Sequence, residues 1–119
     1  MNVQRGEIVI VDFPYSDQTT SKIRPALVVQ ANLWNQRLED TILAPITSSY
    51  NLSSITQTQY FIDVSTPEGQ QTGLIFNSVV RCGSLIAYNQ SLILRIIGRL
   101  SPHTMQQIDG CLKAALGIR

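Results

Sequence analysis

At 119 residues the chain has room for one domain with a core of its own. Hydrophobic residues make up 44% of it and charged residues 14%, with a formal net charge of +1, so overall charge draws no polyanion and any such binding must come from local clusters of Lys and Arg. One histidine excludes a two-histidine acid–base pair within the chain, and a four-ligand zinc site would have to be drawn from Cys82, Cys111, His103 and a distant carboxylate.

In chain order, residues 7–13 read as a first strand, opened by Gly6 and stopped by Pro14. Residues 14–22 are polar and rich in Ser and Thr, a loop joining two strands of a hairpin. Arg24 then stands at the mouth of the next strand beside Pro25, and Leu27, Val28 and Val29, apolar on both faces, predict a strand buried on both sides. Residues 31–40 form a longer connection with room for a helical turn. Residues 41–47 are a third strand, which Pro45 places at an edge or a bulge. After the polar loop 48–54, residues 57–64 alternate as a half-exposed strand with Tyr60, Ile62 and Val64 on one face. Residues 66–69 are a turn, 74–82 an apolar strand, 84–87 a further extended piece, 91–93 a helical turn and 95–100 a last strand.

Ser101-Pro102 is a helix start, a hydroxyl cap followed by proline at the first helical position. Met105, Ile108, Leu112 and Leu116 make one apolar stripe, and Gly117 closes the helix. Many short strands and one terminal helix predict a small single-domain β-barrel with the helix packed on it. No leader precedes Arg5 and the cysteines lack a framework spacing, which points to a reducing cytoplasm with free, packed thiols. The apolar runs 84–88 and 92–97 are too short to span a bilayer.

With no Gly-rich phosphate loop and no nucleophile elbow in the chain, guanidinium and hydroxyl chemistry remains. A guanidinium pairs with two oxygens of a phosphate or carboxylate at once. Arg24 at the start of one strand and Thr47-Ser48-Ser49 at the end of another can converge on one phosphate if those strands are neighbours. Each also has a purely structural reading: a surface ion pair for Arg24, a loop-capping hydroxyl for Thr47.

Six segments in order resemble the MazF/PemK family of toxins, in its PemK-like branch: Arg5-Gly6-Glu7-Ile8-Val9, Asp12-Phe13-Pro14-Tyr15-Ser16-Asp17, Ser21-Lys22-Ile23-Arg24-Pro25-Ala26-Leu27-Val28-Val29, Ala44-Pro45-Ile46-Thr47-Ser48, Ser78-Val79-Val80-Arg81-Cys82 and Ile97-Gly98-Arg99-Leu100-Ser101. The resemblance implies an SH3-like β-barrel with a C-terminal helix, a homodimer, and sequence-specific, metal-independent cleavage of single-stranded RNA with no cofactor. It also implies a cognate antitoxin, with DNA bound only as an operator in complex with that antitoxin, and no membrane partner. Arg24 matches the family's catalytic arginine and Thr47 its catalytic hydroxyl. Ser21, Lys22, Ser48, Tyr15 and Arg81 are candidate RNA contacts, and Tyr15 and Trp34 offer rings on which bases could stack. Two departures stand out: the acid nearest before Arg24 is Asp17, seven residues ahead, and Gly83 follows the Arg81-Cys82 pair. A second class stays open, a non-catalytic barrel that binds an antitoxin or, as in gyrase-poisoning toxins of similar fold, another protein.

Overall fold

The computed structural model describes residues 2–14 and 21–119, with only the backbone of Pro14 and Ser21. Tyr15, Asp17 and the side chain of Ser21, all singled out from sequence, lie outside the described residues. Seven strands are present among them: β1 (Glu7–Pro14), β2 (Ser21–Val28), β3 (Asp40–Thr47), β4 (Gln59–Ile62), β5 (Ser78–Arg81), β6 (Ile86–Asn89) and β7 (Arg95–Arg99). Three helices accompany them: α1 (Asn32–Arg37), α2 (Pro67–Gln70) and α3 (Pro102–Leu116). The strands form one curled antiparallel sheet in the order β4-β5-β3-β2-β1-β7, with β6 added alongside β3. This is the β-barrel with a C-terminal helix that the sequence predicts, in the form of a half-barrel.

Alternation along the strands builds two apolar layers, one on each face of the sheet. Ile8, Leu27, Ala44 and Ile46 face inward with Ile62 and Val80, and α3 covers them with Met105, Ile108 and Cys111. Val9, Val11, Ala26, Val28 and Leu43 face the other way and pack with Val3 and Ile93. Residues 26–29 are therefore buried whichever way they point, as their composition predicts. The helix stripe differs in its last member: Cys111 is buried and Ala115 packs on the inner core, whereas Leu116 is 58% exposed. Ser101 caps α3 by accepting from the Thr104 N–H at 3.2 Å, and Gly117 ends it in the left-handed region at φ 71°.

Several boundaries move for tertiary reasons. Lys22 is not in the loop, because the hairpin continues to Pro14↔Ser21. Pro45 is not at an edge: β3 is central, pairing with β2 on one side and with β6 and then β5 on the other. Its missing N–H falls where that partner changes, after Leu43↔Ile86 and before Ile46↔Val80. Only residues 78–81 of the 74–82 run and 59–62 of the 57–64 run are strand, and 66–69 carries the short helix α2, capped by the Thr66 hydroxyl.

Glu68 of α2 joins the two helices. Its carboxylate accepts from the Thr104 hydroxyl at 2.9 Å at the N-terminal end of α3, where negative charge is favoured. Hydrogen bonding from Ser101 first, and then from Thr104, holds this carboxyl below its ordinary 4.5. A depressed carboxyl contributes stability that is complete above its unfolded value and is lost as pH falls through the folded one. Glu68→Gln is therefore expected to lower the melting temperature at pH 7, where the contribution is complete, and to converge on wild type as pH falls below about 4.5, so that its acid limb is flatter. A wild-type acid limb retained in the variant would count against this role.

Candidate nucleic-acid interface

The site is set by a departure of two strands. β2 and β3 pair through Val28↔Leu43, Leu27↔Ala44 and Ala26↔Pro45, and there the pairing stops, because β3 turns to join β5 through Ile46 and Thr47. Residues 22–25 of β2 are left with β1 on one side and a gap on the other. A cleft of about 400 Å³ occupies this gap, with Lys22, Ile23, Arg24 and Pro25 on one wall and Ile46 and Ser48 on another. Arg95 and Ile97 of β7 line it, as does the segment that includes Ile75 and Phe76. Lys22, Arg24 and Arg95 are its cationic lining residues, with Arg95 on the Pro25 face of the sheet and Lys22 and Arg24 on the other, and no carboxylate among the described residues lines it. Charges of one sign in a concave wall raise the local concentration of an anionic ligand even when net charge is near zero.

Arg24 does not begin its strand; it pairs with Val11, midway along β2. Arg24 and Thr47 lie equally far beyond the last β2–β3 pair, two residues before Ala26 and two after Pro45. They thus stand at the same level on adjacent strands and, by alternation, on the same face. The strands are splayed at that level, so Arg24 and Thr47 line different clefts. Thr47 itself lines a neighbouring cleft of about 290 Å³ with Tyr50, Gln59 and Arg81. Ser48, one residue on, lines the first cleft, so the end of β3 is the partition between the two. The Thr47 hydroxyl accepts from the Ser49 N–H at 3.0 Å and donates to the Ser49 carbonyl at 3.2 Å. The loop-capping reading of this hydroxyl is thereby observed, and a ligand oxygen could take the place of the Ser49 carbonyl.

Arg95 is the member that sequence reasoning did not place. Arg81, Arg95 and Arg99 look like one cluster in sequence, but they go to three surfaces. The cause for Arg95 is a β-bulge: Ile8 pairs with Gly98, but Val9 pairs with Ile96 and Ile10 with Arg95, leaving Ile97 unmatched. Without the extra residue Ile96 would face Ile10. With it, Arg95 joins Ile10 and Pro25 in one row across three strands, and all three line the cleft. Trp34, on α1, is not among the residues that line either cleft.

Other chemistries find little support. His103 is exposed in the first turn of α3, and among the described residues no three of His, Cys, Asp and Glu are grouped to hold a metal ion. Burial pushes the Cys82 thiol up to about 12, helped by the neighbouring Cys111, and burial also raises Cys111. Neither presents a thiolate nucleophile near neutrality.

Comparison with known proteins gives a consistent picture. The family of the PemK-like, MazF-like toxin of type II toxin–antitoxin systems matches residues 4–116. Endoribonuclease MazF2 of Mycobacterium bovis is 29% identical over 120 residues, covering 99% of this chain and all of that one. Endoribonuclease MazF6 of Mycobacterium tuberculosis is similar to the same extent. Among solved structures, an endoribonuclease in complex with its cognate antitoxin from a mycobacterial species superposes with a TM-score of 0.77 at 20% identity, covering 98% of this chain and 97% of the other. A MazE–MazF structure from Deinococcus radiodurans gives 0.75 at 16% identity, with both chains fully covered.

Proposed function

The chain belongs to the PemK-like, MazF-like toxins of type II toxin–antitoxin systems, and from that premise we propose that it is an endoribonuclease that cuts single-stranded mRNA at short specific sequences without a metal ion and so inhibits growth. The observation that supports this reading is the placement of Arg24 and Thr47 at one level on neighbouring strands, beside a cleft that Lys22, Arg24 and Arg95 line. In the reaction the 2′-oxygen bonds to the adjacent phosphorus as the bond to the 5′-oxygen breaks. The 2′-hydroxyl gives up its proton, the departing 5′-oxygen gains one, and a cyclic phosphate remains. The transition state gathers negative charge on the non-bridging oxygens. Arg24 is cationic at any working pH and offers a fork of donors to those oxygens, which makes it a clamp and not a base. Thr47, with Ser48 beside it, donates a hydrogen bond to the same phosphoryl group. Lys22 and Arg95 in the first cleft, with Arg81 in the second, hold phosphates on either side of the β3 partition.

The relatives named as endoribonucleases favour this over a non-catalytic binding barrel. A cognate antitoxin is the protein partner, with operator DNA bound only through the toxin–antitoxin complex. Two copies of the chain pair as a homodimer. The apolar surface that supports pairing is Leu92, Leu94 and Ile96, at 59%, 54% and 40% exposure. No helix among the described residues is long and apolar enough to cross a membrane, and the cytoplasm, where mRNA lies, is the place of action.

The test is cleavage of a mixed-sequence RNA in excess chelator. Wild type should still cut, Thr47→Ser should be mild, and Thr47→Val, which keeps shape but loses the hydroxyl, should fall by about 10²-fold. Absence of cleavage by wild type, or loss in chelator restored by magnesium, would overturn the reading. A folded wild type that binds antitoxin and cuts nothing would install the binding module in its place.

A further inference from the structure

Between α2 and β5 the chain lines the cleft as a strap whose two ends are tied down. At one end Gly73 adopts φ 75° and packs so closely on the Ile97 carbonyl that a side chain there would collide with it. The Leu74 N–H donates to the Thr72 hydroxyl at 3.2 Å, and Leu74 packs on the inner core. At the other end the Asn77 side-chain oxygen accepts from the Val64 N–H at 2.9 Å, and the Ser78 hydroxyl donates to the Phe76 carbonyl at 2.8 Å. Between these anchors Ile75 and Phe76 are 81% and 67% exposed, the two most exposed large apolar residues of the described chain. Both line the cleft that holds Lys22, Arg24 and Arg95.

An exposed aromatic ring on a tied segment, in a cleft that cationic residues also line, matches the two features of single-stranded nucleic acid, bases with π-faces on a backbone of phosphates. Resting on the ribonuclease reading above, we propose that Phe76, flanked by Ile75, is a preformed stacking platform for one unpaired base of the RNA strand that lies in the cleft. The cations engage the backbone and fix its register, while the ring takes a base that is splayed out of the strand. Because both ends of the strap are already tied, little ordering remains to oppose binding.

The experiment uses the full chain. Cut ends of a mixed-sequence RNA give the cleavage site. An oligonucleotide of that sequence, with a 2′-deoxy sugar at the cut so that it binds without reacting, then gives Kd by fluorescence anisotropy. Phe76→Ala should bind at least about fivefold more weakly, the low end of the range for losing one base–aromatic stack. Phe76→Tyr should bind like wild type, and Phe76→Leu, apolar but without a ring face, should resemble Phe76→Ala. An abasic residue at one position near the cut should weaken wild type by the same factor and leave Phe76→Ala unaffected. If Phe76→Ala binds like wild type while wild type cuts RNA, the platform is wrong and the ribonuclease reading stands. The platform is equally wrong if every abasic position penalises wild type and variant alike, or if Phe76→Ala changes the sedimenting mass, which would make Phe76 a contact between copies. If wild type cuts no RNA, both fall together.

Discussion

Arg24→Ala is expected to lower RNA cleavage by at least about 10²-fold, the scale for removing one positioned charge-stabilising donor. Arg24→Lys should recover only part of the loss, because an ammonium gives one point of charge where the guanidinium gives a two-toothed fork. The variant should remain folded. Arg24 stands midway along β2, where the buried run begins only at Ala26, so its replacement leaves both apolar layers intact. Rates on a defined RNA, taken with melting curves and antitoxin binding, decide the matter. A folded Arg24→Ala protein that cuts as fast as wild type would remove Arg24 from the chemistry and leave it as a partner contact.

The second large effect concerns stability, at a glycine far from any reacting group. Gly98 pairs with Ile8 next to the bulge, and a methyl group on it would collide with the carbonyls of Gln71 and Thr72. Backbone cannot yield as the tip of a side chain can, and this segment is already tied to β7 by the Arg99 N–H bonding to the Gln71 carbonyl at 3.0 Å. Gly98→Ala should therefore cost about 3 kcal/mol, near the upper end for overpacking, and lower the melting temperature by roughly 10 °C. Because the strap with Phe76 hangs from the same contact, RNA affinity should fall as well. Gly110 is the control. It sits inside α3 with nothing near its added methyl group. There Gly110→Ala should stabilise by about 0.5–1 kcal/mol through helix propensity and lost unfolded-state entropy. A Gly98→Ala protein that melts with wild type would show that the strap can shift, and would weaken the case for a preformed platform.

Local signals determined a good deal of this protein. Ser101-Pro102 and Gly117 bound the terminal helix because caps act within one turn. The strand at residues 26–29 is visible because a segment buried on both faces must be apolar at every position. Arg24 and Thr47 stand out in sequence only through the six motifs, and they lie at equal offsets from the last β2–β3 rung.

What only the tertiary structure decided is where strands part and where register slips. The cleft exists because β3 leaves β2 at Pro45, a residue that in sequence reads as an edge and in the fold marks a change of partner. Arg95 reaches the cleft because one unmatched residue, Ile97, reverses the alternation of β7 against β1, and a period of two read along the chain misses a bulge made with another strand. Ile75 and Phe76 look like core strand because they are apolar, and they are exposed because Gly73 and Asn77 tie the chain to Ile97 and Val64, more than ten residues away in either direction. Composition and local pattern record what a residue prefers to be near, whereas strand departure, bulge and strap depend on backbone contacts between distant segments, which leave no periodic trace in the sequence.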